Sequence, residues 1–393
     1  MKMAKEQREP KTKKTKSGRQ YFDFNLLAIC ILTILVGYVL LYSASAYSAT
    51  SSHDDSLFFI KRQMFATAMG IVGFVVVLKI GYKFFEKYAN WIYYISLGSI
   101  RLVKTPLGVE LNGARRWVDL GIIQFQPAEF VKIAVIIVTA AMIAKCKNST
   151  VENGKTMFLI FLRPAVAAAL LFILTSNMSS AIIVLAIGLI MVIMTGPSLQ
   201  FYKYLGIFGL AGGALYAIYS LIFGGGFRGS RIMTWLNPEQ YSEEGGYQVM
   251  QGLYAIGSGG YFGKGIGNSA QKLGTLPEST NDMIFSIICE EMGLFGAICV
   301  VALFIFMIWR MRTIAVSTPK SDLFGTMLVV GVMLHIAIQV VLNIAVVTNT
   351  MPNTGVSLPF ISYGGTSLAF LITEMGLVFS VSRTNNLRNR NVA

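Results

Sequence analysis

The acid best placed for chemistry is Asp282, which closes the polar segment Leu276-Pro277-Glu278-Ser279-Thr280-Asn281 and opens a long apolar run. A carboxylate at such a mouth can act as a general base on a sugar hydroxyl. It can equally satisfy free backbone N–H groups at a helix start, and its position alone leaves both roles open. A second constellation, Asn112-Gly-Ala-Arg115-Arg116-Trp117, sets two guanidinium groups beside an interfacial aromatic. Guanidinium grips phosphate oxygens in pairs, so the motif fits an anionic head group, whether of a ligand or of ordinary lipid. Gln126-Pro127-Ala128-Glu129 and Lys132 follow. Glu129 and Lys132 are three apart on one helix face, and the rise per residue puts Lys132 about 9 Å below Gln126. A charge at that depth costs about 3 kcal/mol, so the two either face an interior cavity or form a structural ion pair. Glu290 and Glu291 lie two turns beyond Asp282, and Glu374 lies inside the last apolar run. For these, hydrogen bonding to neighbouring helices and an ion path both remain open. In Thr354–Ser367, Gly355 and Pro359 fit a tightly turned or re-entrant chain. The sequence Ser362-Tyr363-Gly364-Gly365 lets the backbone come close to a ligand or another helix. His335 has no neighbour at metal-ligand spacing and reads as structural.

The elements that must position these residues are membrane spans. Of the 393 residues 54% are hydrophobic and only 13% charged, which excludes an ordinary soluble domain. The formal charge of +14 is spread in short clusters between apolar runs, so nucleic-acid binding is not indicated. Runs of bilayer length predict about ten spans: 24–46, 59–79, 86–103, 126–145, 158–175, 179–196, 201–223, 283–309, 323–347 and 365–382. The predicted fold is an all-α integral membrane protein with both termini in the cytoplasm. Under that count every cytoplasmic loop is basic, for instance Lys79, Lys83 and Lys87, or Arg310, Arg312 and Lys320. Residues 1–22 are expected to be a basic, disordered cytoplasmic tail, residues 23–382 the membrane domain, and residues 383–393 a second basic tail. The outer loops 104–125 and 224–282 break the positive-inside rule with Lys104, Arg115, Arg116, Arg228, Arg231, Lys264 and Lys272, and that needs a reason. The 224–282 loop, between the seventh and eighth spans, is rich in glycine and aromatics and is expected to carry short amphipathic helices near 230–236 and 246–257. No fixed-period repeat and no separate soluble domain is visible. Cys30, Cys146, Cys289 and Cys299 lack CxxC spacing and read as inert.

Taken together, several motifs resemble the SEDS family (shape, elongation, division and sporulation), the group of FtsW, RodA and SpoVE. They are Asn112–Trp117, Arg231-Ile232, Trp235-Leu-Asn-Pro238, Gly246-Tyr-Gln248, Gly259-Gly260, Gly265-Ile-Gly267-Asn-Ser, Gln271-Lys272 and Thr354–Ser367. Gly-Asn-Ser-Ala-Gln-Lys and Thr-Gly-Val-Ser-Leu-Pro-Phe are closer to the FtsW and SpoVE branch. The resemblance implies a peptidoglycan glycosyltransferase that polymerises lipid II at the outer face of the bacterial cytoplasmic membrane, in division or sporulation. It implies Asp282 as the catalytic base. It further implies Arg115, Arg116, Glu129, Lys132, Arg231, Gln248, Lys272, Ser362, Gly364 and Gly365 as substrate-binding positions, with Arg115, Arg116, Lys132 and Arg231 on the lipid pyrophosphate. A class B penicillin-binding protein and other division or sporulation membrane proteins are the implied partners. A divalent cation such as Mg or Mn near the pyrophosphate is chemically reasonable, although the sequence offers no carboxylate cage for one. Three stretches depart from the family pattern: Ser176-Asn177-Met178-Ser179-Ser180 loses an acid, Thr280-Asn281-Asp282 replaces His-Thr-Asp, and Ala128 replaces a serine. A lipid II flippase using the midplane charges, or a scaffold for a transpeptidase, remains an alternative.

Overall fold

The computed structural model describes residues 22–111, 114–119, 121, 124–146, 153–223, 231, 233–241 and 245–392. Nearly all of the basic N-terminal tail, Asn112 of the arginine motif, residues 224–230 of the long loop and Ile232 lie outside the described residues. Eleven helices of ten residues or more run among the described residues: α1 (Phe24–His53), α2 (Phe58–Ile80), α3 (Tyr82–Leu102), α4 (Pro127–Lys145), α5 (Gly154–Thr175), α6 (Met178–Ile193), α7 (Leu199–Phe223), α8 (Gly246–Gly259), α9 (Ile284–Ser317), α10 (Leu323–Val347) and α11 (Thr366–Val392). Ten of them fall on the ten expected spans. The remaining one, α8, is the amphipathic helix expected near 246–257, and a short helical turn covers 233–236. Among the described residues, α1, α2, α4, α5, α9 and α10 are each long and apolar enough to cross a membrane. The chain is thus a multi-pass helical membrane protein.

Helix starts are set by polar caps that an average of hydropathy does not register. Asp23, Asn153, Asn177 and Asp322 each accept a backbone N–H from the first turn of α1, α5, α6 and α10. Helix α11 runs on to Val392, through the expected basic tail, because Arg383–Val392 contains neither proline nor glycine. α4 is the axis of the bundle, with nearly every residue from Pro127 to Ala141 buried.

Two features depart from plain spans joined by loops. The 104–125 loop folds into a three-stranded antiparallel sheet of β1 (Gly108–Leu111), β2 (Ala114–Asp119) and β3 (Gln124–Phe125). A register shift falls between Val109 and Glu110, so that Val109 faces Trp117 and Glu110 faces Arg115. The second is a break in α9 at Gly293, where φ is 66° and ψ is −165°. The freed backbone groups there are taken by the glycine-rich end of the long loop. Lys264 N and Gly265 N donate to Glu290 O and Glu291 O at 3.0 and 2.9 Å, while Leu294 N and Phe295 N donate to Gly260 O and Tyr261 O at 2.9 and 3.1 Å. A broken helix inside a membrane domain is tolerable only when its backbone is re-satisfied this way. Gly263 lies so close to Glu291 O that a Cβ would have no room.

Candidate active site

Asp282 occupies the turn that enters α9 and is 8% exposed. Burial, reinforced by the nearby Glu278, pushes its carboxyl up to about 7, against the opposing pull of Arg231. Its Oδ1 is buried without a hydrogen-bond partner. The turn is held by the loop between α10 and α11. Ser362 Oγ donates to Asn281 O at 2.7 Å, and Tyr363 N donates to Thr280 O at 2.9 Å. Gln63, on α2, donates to Ser362 O at 3.1 Å and accepts from Gly364 N at 3.4 Å. Gly365 takes φ +44°, turning the chain into α11. Ser362 therefore braces the turn that carries Asp282, Gly364 is tied to Gln63 beside it, and Gly365 turns the chain away into α11.

The cations divide. Arg115 and Arg116 are neighbours on β2, and side chains alternate across a strand. Arg115 is half-exposed and pairs with exposed Glu110 at 3.3 Å. Arg116 is half-buried, and its guanidinium is held below its usual range, first by burial and then by Arg231. Its Nε has no hydrogen-bond partner. Arg231 Nη1 donates to Asn353 O at 3.2 Å, and Asn353 Nδ2 donates to Gln248 Oε1 at 3.1 Å. Thus Arg116, Arg231, Gln248 and Asp282 converge from the sheet, the long loop, α8 and α9. Unpaired buried atoms at Arg116 Nε, Gln248 Nε2 and Asp282 Oδ1 belong to this same group of residues, and Thr354 Oγ1, between Asn353 and Gly355, is another. Buried polar atoms are normally satisfied, so a polar ligand is the natural complement.

The other sequence-derived positions are engaged elsewhere. Glu129 and Lys132 pair with one another at 2.8 Å, 7% and 1% exposed. Lys272 is buried against Glu291 at 2.7 Å and Ser43 at 3.1 Å. Glu290 accepts from Lys264 at 2.7 Å, from Ala270 N at 3.1 Å and from Ser269 Oγ. Both acids beyond Asp282 thus fasten the long loop to α9. His335, expected to be structural, meets Glu374 across α10 and α11 at 2.8 Å.

Residues 23–387 match the family described as cell cycle protein, which groups FtsW, RodA and SpoVE. The chain belongs to this family. Stage V sporulation protein E of Bacillus subtilis is 34% identical over 362 residues, 92% of this chain and 97% of that protein. A probable peptidoglycan glycosyltransferase FtsW from Trichlorobacter lovleyi is also 34% identical, over 92% of this chain and 93% of its own length. Two solved structures are similar at 25% identity. One, reported as the structural coordination of polymerization and crosslinking by a peptidoglycan synthase complex, has a TM-score of 0.72 and covers 93% of this chain and 98% of the other. The other, the rod shape determining protein RodA of Thermus thermophilus, has a TM-score of 0.66 and covers 93% and 97%.

Within the SEDS fold, the departure at Asn177 has a local explanation. The amide caps α6 by accepting Ser180 N at 3.0 Å, and Ser179 Oγ donates to Thr354 O. An asparagine caps a helix as well as an aspartate does, so the loop beside the site is still anchored. Three residues that sequence reasoning passed over serve the site: Gln63, Asn343 and Asn353. The available signal for the first two was an amide at a helix face within an apolar run, Gln63 following Lys61-Arg62 and Asn343 one turn beyond Gln339.

Proposed function

We propose that this protein is a peptidoglycan glycosyltransferase that joins lipid II disaccharides into glycan strands at the outer face of the bacterial cytoplasmic membrane, in division or sporulation. The observation that carries the reading is Asp282, a buried carboxyl near neutrality with an unpaired oxygen, electrostatically coupled to Arg231, which in turn acts on Arg116. A base is most effective when its pKa lies near the working pH. Asp282 takes the proton from the acceptor 4-hydroxyl as that oxygen attacks the donor anomeric carbon. The new glycosidic C–O bond forms, the bond to the lipid pyrophosphate breaks, and the carbon inverts. Arg116 and Arg231 meet the charge that develops on the departing pyrophosphate, and an anion between them relieves their mutual repulsion. That role accounts for Arg116 and Arg231 on the outer side, while Lys264 and Lys272 answer to Glu290 and Glu291. Among the described residues no group of three His, Cys, Asp or Glu side chains gathers to hold a metal ion, so a divalent cation such as Mg or Mn would be held chiefly by the substrate's pyrophosphate oxygens and would supply charge there. A class B penicillin-binding protein, which would crosslink the strand, and other division or sporulation membrane proteins are the proposed partners.

The test is purified protein with labelled lipid II beside its Asp282→Ala variant. Glycan strands from the first and none from the second are expected. Equal strands from both would remove Asp282 as the base. Transbilayer movement of lipid II without strands would instead favour the flippase.

A further inference from the structure

Asn343, on α10, is fully buried at 0% exposure beneath the site. Its Nδ2 donates to Asp282 O at 2.7 Å and to Val356 O at 2.8 Å. One amide therefore ties the residue that opens α9 to the loop that follows α10. The second tie also bears on the carboxyl itself. Gly355, with φ +68°, immediately precedes Val356, and a Cβ placed there would lie 3.7 Å from Asp282 Oδ2. Fixing Val356 thus fixes the wall that faces the carboxylate. Asn343 Oδ1 and Asp282 Oδ1 are both buried without a partner.

We infer that Asn343 is a positioning residue for Asp282, holding its backbone and the opposing Gly355 wall in one register. The inference rests on the reading of Asp282 as the general base. Asn343 is not a general stabiliser of the loop pair, because the same turn is tethered independently through Ser362 to Asn281 at 2.7 Å and through Tyr363 to Thr280 at 2.9 Å. Removing Asn343 therefore displaces the carboxyl while leaving the loops docked. The charged groups acting on Asp282 are Glu278, from its own turn, and Arg231, from the long loop, with Arg116 acting on Arg231 in turn. Asn343 from α10 and Gly355 from the following loop face it without charge of their own.

The experiment measures lipid II polymerisation by the full-length protein across pH for wild type, Asp282→Ala, Asn343→Ala and Asn343→Asp, with thermal unfolding of each. Asn343→Ala is expected to lower kcat by about a hundredfold, the effect of a misplacement near 1 Å, with KM little changed. Asn343→Asp keeps the shape and puts an acid against the backbone carbonyl of Asp282, within the same residue as the carboxyl. It moves the acidic limb of the kcat profile to higher pH, a change that a merely structural role does not produce. An inactive Asp282→Ala together with Asn343 variants of wild-type kcat and unshifted limb overturns the positioning role alone. Loss of activity in Asn343→Ala only in proportion to loss of folded protein, with the limb unmoved in Asn343→Asp, overturns it as well. Full activity in Asp282→Ala overturns the base and this role together.

Discussion

Burial makes Asp282 a weak acid, and that has consequences of opposite sign for activity and stability. Only the carboxylate accepts a proton, so kcat/KM should rise with pH through about 7, following the raised value of this group. A pH–rate series on lipid II checks it, and a limb near the ordinary carboxyl value of 3.8 would contradict the burial argument. For folding the sign reverses. A raised folded-state value means stability that is present below 3.8 and lost as pH rises toward about 7. Asp282→Asn should therefore melt higher than wild type at pH about 8, by an amount that shrinks as pH falls toward about 4. The two arginines give a second prediction at this scale. Arg116→Ala should lower kcat/KM by about a hundredfold, whereas Arg115→Ala, paired with exposed Glu110, should stay within about twofold of wild type. The sequence named both arginines together, because adjacency along a chain says nothing about faces until the strand is known. Asp282 was legible for the contrary reason, since an acid at the mouth of an apolar run stands out in one dimension.

At the scale of elements, hydropathy placed the helices well because membrane spans are the one structure whose length the bilayer dictates. The hairpin was missed although its cue was present: Asn112-Gly113 between Val109-Glu110-Leu111 and Arg116-Trp117-Val118 is a strong short-range hairpin signal. The break in α9 left no comparable trace, for Gly293 and Gly296 both lie in a run that averages as apolar, and nothing local marks the first as the break. Its partner is a loop some thirty residues earlier, which no local window includes. A Cβ at Gly293 would meet the backbone of Tyr261, Phe262 and Gly263, and the residue also sits at φ +66°. Gly293→Ala should accordingly cost about 1–3 kcal/mol. Lowered thermal unfolding and faster protease cleavage within 259–272 would register it. An unchanged cleavage rate would mean that the loop is held by Glu290 and Glu291 without the backbone knit.

For the whole molecule, the deciding question is what the charges inside the membrane domain are for. A transport route needs acids and bases free to exchange partners, yet Glu129 is closed on Lys132, Glu374 on His335, Glu290 on Lys264 and Glu291 on Lys272. These pairs lock α4 internally, α10 to α11, and the long loop to α9, so they act as a frame around the site. A frame role predicts a specific outcome for the buried pair inside α4. Lys132→Met leaves the Glu129 carboxylate buried and uncompensated, which should cost about 3–5 kcal/mol and lower the melting temperature accordingly. Glu129→Gln combined with Lys132→Met removes both charges, and buried pairs replaced by neutral side chains of similar volume are often tolerated. Melting temperature and polymerisation should then recover together in the double variant. A double variant that regains its melting temperature but makes no glycan would place Lys132 on the pyrophosphate, and the frame would then end at α10 and α11.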